Sequence, residues 1–135
     1  MRTLRRRRSS RGDSVNFEPP GEVENLFKLI LEGKAKDAEE ALNKAMEALS
    51  KYRRWDGFQG YIRGLEGILL SLKEKGRSTY LSGLNSHEAL RKAKREFTKN
   101  IREELHAPYD KWYFKALLDY TDFLASNLPN LKDKG

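Results

Sequence analysis

The sequence contains no cysteine and only two histidines, His87 and His106. The absence of cysteine excludes a disulfide scaffold, thiolate catalysis and every zinc site built on cysteine ligands. The two histidines lie nineteen residues apart and outside any HExxH pattern, so their spacing does not indicate a metal centre. We therefore expect neither a metal nor a cofactor.

Long apolar runs are also missing from the sequence. No stretch reaches the roughly eighteen apolar residues that mark a membrane span, and the first thirty residues lack the apolar segment of a signal peptide. The phosphate-binding motif GxxxxGK[ST], a GxGxxG after a strand and the GxSxG elbow of hydrolases are likewise absent. We expect a soluble, cytoplasmic protein that is not an enzyme and has no small-molecule substrate.

The 135 residues are enough for one domain with a hydrophobic core. Apolar residues make up 38% and charged residues 35% of the chain, which is polar but sufficient for a globular fold. Many Lys, Arg and Glu residues accompany a single glutamine, Gln59, a bias typical of proteins from hyperthermophiles.

Apolar residues recur at helical spacing through most of the chain, and nothing alternates convincingly with the period of a strand. We predict an all-α fold, a compact bundle of about five helices. Gly33 is a candidate C-cap, Asp37 with Glu40 a capping box, Asn85 with Glu88 a further cap, and Pro108 suits a first helical turn. The helices are predicted over residues 22–32, 37–54, 57–75, 86–106 and from 108 to just before 129, and residues 77–84 are left unassigned.

The short connection between the second and third predicted helices indicates an antiparallel hairpin. Residues 53–56, at and just after the end of the second helix, form this connection. The domain organisation that we predict is an extended arm over residues 1–21 and a helical domain over residues 22–135.

The arm carries more than half of the excess positive charge. The net charge of the chain is +7, of which residues 1–20 contribute +4 through six arginines against Asp13 and Glu18. Guanidinium groups pair with phosphates and stack on bases, so this composition favours a nucleic acid, and an arginine-rich segment that orders on binding favours RNA. The six candidate RNA-binding arginines are Arg2, Arg5, Arg6, Arg7, Arg8 and Arg11.

Three alternatives to nucleic-acid binding remain open for the arm. It could be a solvated tail, a ligand for an acidic protein or a basic run like those used for nuclear import. The tripeptide at residues 11–13 matches a cell-adhesion motif, but three residues match often by chance, and no secretion signal accompanies them.

The fourth predicted helix carries basic residues outside its apolar seam. Arg91, Arg95 and Arg102 share one edge, with Lys92 and Lys99 close by, so this face could follow a phosphate backbone. The alternative is a solvated surface on which these cations are balanced by nearby glutamates.

Four glycines at spacings of 3, 4 and 3 lie on one side of the third predicted helix: Gly57, Gly60, Gly64 and Gly67. An interior glycine weakens a helix by about 1 kcal/mol relative to alanine, so something must offset the loss. We expect close packing against the alanines of the second helix. The alternative is a surface without side chains on which an RNA backbone or a helix of a partner protein lies in close contact, flanked by Arg53, Arg54 and Arg63.

Aromatic residues crowd the last predicted helix over too wide an arc for one core face. Most belong to the core, while Tyr113 or Phe114 could be exposed. Trp55, in the turn beside Arg53 and Arg54, is the stronger candidate for stacking on a base.

The segment Gly57-Phe58-Gln59-Gly60-Tyr61-Ile62-Arg63-Gly64-Leu65-Glu66-Gly67-Ile68-Leu69-Leu70 is similar to segments of archaeal helical proteins, and the basic arm on a helical body resembles the small archaeal proteins that decorate ribosomes. The resemblance covers the architecture and about thirty residues. It implies a ribosomal or ribosome-associated protein that binds rRNA, with ribosomal proteins as a further class of partner. Two alternatives are a helical protein-interaction module and a DNA-binding or chromatin protein with a basic tail.

Overall fold

A computed structural model describes residues 17–74 and 84–127. Within these ranges the chain forms five α-helices, one 3₁₀ turn and no strand, which confirms the all-α prediction. The arm residues 1–16, most of the unassigned segment 77–84 and Pro129 lie outside the described residues. The helices are α1 (Gly21–Leu31), α2 (Ala35–Ala48), α3 (Gln59–Lys73), α4 (His87–Arg102) and α5 (Pro108–Asn127), with the 3₁₀ turn at Ser50–Tyr52.

Gly33 ends α1 as predicted. Its φ is 77°, a conformation that glycine adopts without a steric penalty. The Gly33 amide donates to the carbonyl of Ile30, and the Lys34 amide donates to that of Leu29, both over 3.0 Å. This pair of bonds is a Schellman motif, so the last turn of α1 is closed before the chain enters α2.

Two predicted caps are wrong. α2 begins at Ala35 after Lys34, with no side-chain cap, so Asp37 lies in its first turn and does not start the helix. α4 is capped by Ser86, whose Oγ accepts from the amide of Ala89 over 3.1 Å. The predicted cap Asn85 is one residue too early, because serine and asparagine can both serve at this position.

Helix α5 packs along α3 and α4, which are its two most extensive neighbours in the described chain. Gly57 and Gly60 meet the first turn of α5, while Gly64 meets Ala116 further along, so α3 and α5 run in the same direction. Lys94 pairs with Asp122, and Phe97 stacks on Phe114, so α4 and α5 run in opposite directions.

The predicted hairpin of α2 and α3 is present. An ion pair joins Lys73, at the end of α3, to Glu39, near the start of α2, as an antiparallel arrangement requires. The contact between these helices is nevertheless less extensive than that of α3 with α5.

The core continues into the segment before α1. Phe17 is only 5% exposed, and its ring lies 5.0 Å from that of Tyr61 and 5.3 Å from that of Trp112, measured between centroids. Phe17 thus packs into the helical core although it precedes the boundary predicted at residue 21. No helix in the described ranges is long and apolar enough to cross a membrane.

Candidate nucleic-acid interface

The outer face of α4 is strongly basic. Its apolar seam, formed by Leu90, Ala93, Phe97 and Ile101, is buried, which turns the opposite side of the helix to solvent. Five exposed cations lie outside the seam, and within the described ranges none of them forms an ion pair or a hydrogen bond. They are Arg91, Lys92, Arg95, Lys99 and Arg102.

The glutamates of α4 leave most of this basic face clear. At 100° per residue the five cations span an arc of about 100° opposite the seam. Glu88 is the one carboxylate inside this arc and lies in the first turn, while Glu96 lies at its edge. The sixth basic residue, Lys94, lies outside the arc and pairs with Asp122 of α5 over 3.3 Å. We call the five unpaired cations the α4 basic face.

The four glycines Gly57, Gly60, Gly64 and Gly67, which we call the glycine stripe, face α5 and not the predicted partner α2. A Cβ atom built on Gly60 would overlap the carbonyl oxygen of Tyr109, and one on Gly64 would lie 2.6 Å from Cβ of Ala116. The prediction that the glycine stripe packs against the alanine face of α2 is therefore wrong. The alternative that an RNA backbone contacts Gly57, Gly60 and Gly64 is also contradicted, because α5 occupies that side of α3.

Gly67 differs from the other three glycines. A Cβ atom at Gly67 would meet only the hydroxyl of Tyr113, at 3.8 Å, which is ordinary van der Waals contact. The close approach of α3 and α5 therefore ends before this residue.

At Gly57, the backbone of the turn before α3 packs directly against the backbone at the start of α5. The φ of Gly57 is 77°, and a Cβ atom would lie 2.5 Å from the backbone of both Pro108 and Tyr109. The turn that carries Arg53 and Arg54 is consequently held at the end of the bundle where α5 begins.

The C-terminal end of α4 lies at this same end, because only residues 103–107 separate Arg102 from Pro108. Arg53 and Arg54 are both exposed there, and within the described ranges neither has an ion-pair partner. The fold thus brings the exposed arginines of the α2–α3 turn to the end of the bundle where the α4 basic face terminates, although they are far apart in sequence.

Trp55, predicted to stack on a base, is half-buried in an aromatic cluster. Its ring lies 4.7 Å from Tyr52 and 5.7 Å from Trp112, measured between centroids. These contacts bury much of the Trp55 side chain, so Trp55 contributes mainly to the core. The rings of this cluster are Phe17, Tyr52, Trp55, Phe58, Tyr61 and Trp112.

The aromatic cluster also includes Phe17, the first residue that the structure describes. The ring of Phe17 lies 6.3 Å from that of Trp55, next to the turn that carries Arg53 and Arg54. Phe17 therefore lies at the end of the bundle where the exposed arginines of that turn are held.

Arg63 is exposed on α3 but engaged within the protein. Its guanidinium lies 3.2 Å from the carboxylate of Glu66. A hydrogen bond with Tyr109 and the charge of Glu66 raise its pKa above the ordinary value. Arg63 is thus less available to a phosphate than Arg53 or Arg54. Tyr113 and Phe114, considered for exposure, are both half-buried.

The last helix contains a buried charged pair that the sequence analysis missed. The ammonium of Lys115 donates to Oδ1 of Asp119 over 2.6 Å, and the hydroxyl of Tyr61 donates to Oδ2 over 2.7 Å. Burial raises the pKa of Asp119, while Lys115 opposes this shift, and burial followed by the charge of Asp119 raises the pKa of Tyr61. The i, i+4 spacing of Lys115 and Asp119 was the available signal.

A cleft of about 530 Å³ beside this pair is mainly acidic. Its lining includes Glu18, Glu24, Asp119 and Asp122 against one cation, Lys115. Asp119 and Asp122 are paired with Lys115 and Lys94, so Glu18 and Glu24 carry the unbalanced charge of the cleft. The acidic cleft therefore differs in charge from the α4 basic face.

No family model, curated protein or solved structure matches this chain. Its chemistry is therefore inferred from its own residues. In the described ranges, no three His, Asp or Glu side chains lie close enough together to hold a metal ion. What those residues do offer is a row of unpaired cations on a rigid helix, which suits a polyanion.

Proposed function

We propose that the protein binds RNA, as a ribosomal or ribosome-associated protein that contacts rRNA through its arm and the α4 basic face. The observation that carries this proposal is the row of five α4 cations without a carboxylate partner in the described chain. Glu88 and Glu96 lie three or four residues from Arg91, Lys92 and Lys99, yet no ion pair joins them in the described chain, in contrast to Arg63 and Glu66. Unpaired arginines and lysines favour an external anion.

The position of Phe17 supports the same proposal. Phe17 packs beside the turn that carries Arg53 and Arg54. We propose that a polyanion bound by the residues before Phe17 reaches this end of the domain, to which the α4 basic face also extends. Two cationic elements that engage one long anion release more counterions than either does alone.

The choice of RNA over DNA rests on the chemistry of the arm. Arginine-rich segments that order on binding are a common mode of RNA recognition. The competing hypothesis of a protein-interaction module relied on an accessible glycine stripe, and α5 covers Gly57, Gly60 and Gly64.

The proposal is tested by cosedimentation of the full chain with ribosomal particles from its own cells. We expect association that survives moderate salt and is lost when residues 1–12 are deleted, a change that keeps Phe17 and the core. Retained association of the truncated chain would instead indicate a protein-interaction module. RNA crosslinked in cells that is random and non-ribosomal would contradict the ribosomal role.

A further inference from the structure

We infer that the α4 basic face binds the sugar-phosphate backbone of a base-paired RNA segment and does not read unstacked bases. This inference rests on the proposed RNA binding and specifies the structural class of the RNA. Three features of the face support it: the absence of aromatic rings, the regular spacing of the cations and the rigidity of α4.

The α4 basic face presents charge without aromatic rings. Phe97, the aromatic residue of α4, is 5% exposed and belongs to the seam. Proteins that bind single strands usually add exposed rings on which successive bases stack. Double-stranded RNA hides its bases in the stack and is recognised through its phosphates, its 2′-hydroxyls and its shape.

The rings elsewhere in the described chain are largely committed to packing. Trp55, the side chain best placed by sequence to stack on a base, contacts Tyr52 and Trp112 instead. Tyr109 is 40% exposed, but it lies on α5 and interacts with Arg63. Neither ring extends the α4 basic face into a stacking platform.

The cations are regularly spaced. Arg91, Arg95 and Lys99 follow one another at intervals of four residues, which is about 6 Å along the axis at a rise of 1.5 Å per residue. Arg102 extends the row to about 16 Å on the same basis. A row of this length meets several consecutive phosphates of one strand.

The row is also rigid. The α4 seam packs along α5, the Ser86 side chain caps the first turn, and Lys94 pairs with Asp122. A fixed row of cations loses little conformational freedom when it meets the fixed phosphates of a base-paired stem. A flexible single strand must be ordered to reach the same contacts, which opposes binding.

Three of the five cations lie in the later turns of α4, although Glu103 and Glu104 follow them directly beyond the end of the helix. Glu88, the acidic residue within the arc, lies in the first turn, whereas Arg95, Lys99 and Arg102 lie in the later turns. Arg53 and Arg54 lie at the end of the bundle where α4 terminates. The stem is therefore expected to cross the C-terminal half of α4 and to extend toward the α2–α3 turn.

The test compares binding of the full chain to three probes: an RNA hairpin with a fully paired stem, oligouridine of the same length, and duplex DNA of the stem sequence. We expect the hairpin to bind at least about tenfold more tightly than oligouridine. The triple variant R95Q/K99Q/R102Q should lower hairpin affinity and reduce the magnitude of its log–log salt slope by about 3, since each lost phosphate contact contributes about 1.

The matched control is K28Q/K36Q/K44Q, which removes the same charge from exposed positions of α1 and α2. It should leave the salt slope nearly unchanged, and circular dichroism should show that both variants keep their helices. Equal losses in the two variants would overturn the assignment of the contact to α4.

The remaining outcomes separate the inference from the proposed function. If oligouridine binds as tightly as the hairpin, the inference is wrong while RNA binding stands. If duplex DNA binds as tightly as the RNA hairpin, the choice of RNA is overturned. If the full chain binds none of the three probes, both the inference and the proposed function fail.

Discussion

Gly60 lies where the backbones of α3 and α5 approach most closely. A Cβ atom there would overlap the Tyr109 carbonyl oxygen and lie 3.1 Å from the amide nitrogen of Tyr113. Both neighbours are backbone atoms, so no side-chain rotation can relieve the overlap. The helix-weakening effect of glycine at this position is offset by the packing that it permits.

Gly60→Ala should therefore destabilise the protein by about 3 kcal/mol or more, at the upper end of the cost of overpacking. Gly67→Ala is the matched control in the same helix, since its Cβ has ordinary van der Waals space. It should be neutral or stabilising by up to about 1 kcal/mol through helix propensity. Denaturant unfolding followed by circular dichroism measures both, and equal stabilities of the two variants would contradict the packing.

The buried pair of Lys115 and Asp119 makes a second prediction at the residue scale. Lys115→Met should lower the free energy of unfolding at neutral pH by about 3–5 kcal/mol, because it leaves a buried carboxylate without its charge partner. Lys94→Met is the matched control. It breaks the exposed pair with Asp122, and an exposed pair contributes about 0–1 kcal/mol.

The effect of Lys115→Met should depend on pH. Lys115 lowers the pKa of Asp119 against the effect of burial, so its removal raises that pKa further above the unfolded value. The folded variant then retains a proton that the unfolded chain releases, and its stability falls as pH rises from about 4 through the folded pKa. The stability deficit relative to the unaltered chain should grow between pH 4 and pH 7. A constant deficit would show that lost packing, not charge, dominates.

At the scale of elements, helix faces were predictable because they depend on local periodicity. The seam of α4 at Leu90, Ala93, Phe97 and Ile101 is buried as the spacing predicts. The same spacing placed Leu105 in the seam, which is wrong: α4 ends at Arg102, and Leu105 is 91% exposed. The partner of the glycine stripe was not predictable, since the sequence shows that two backbones approach but not which helix supplies the second. Lys115 and Asp119 were missed because aromatics around α5 obscured which of its sides is buried.

Phe17 makes a prediction at this scale, because it joins the segment before α1 to the rest of the bundle. Phe17→Ala should cost about 3–5 kcal/mol in unfolding free energy, as for other buried phenylalanines. Leu105→Ala is the control, since Leu105 is 91% exposed and should change stability by less than about 0.5 kcal/mol. A Phe17 variant as stable as the Leu105 variant would mean that the helical domain begins at α1.

For the whole molecule, the sequence predicted which residues could bind RNA but not how they are arranged. Arg53 and Arg102 are distant in sequence. The packing of Gly57 on Pro108 and of Trp55 on Trp112 brings the α2–α3 turn to the end of the bundle where α4 terminates. That arrangement depends on a backbone contact between α3 and α5, which no local pattern encodes. The acidic cleft likewise arises from residues of the segment before α1, of α1 and of α5.

The central claim is that the arm and the helical domain bind RNA together. Its most direct test measures the affinity of the full chain, and of the chain lacking residues 1–12, for a structured rRNA fragment over a range of salt concentrations. If all six arginines engage phosphates, deletion should reduce the magnitude of the log–log salt slope by about 4 to 5 and weaken binding. Equal affinities and equal slopes for the two chains would contradict the account.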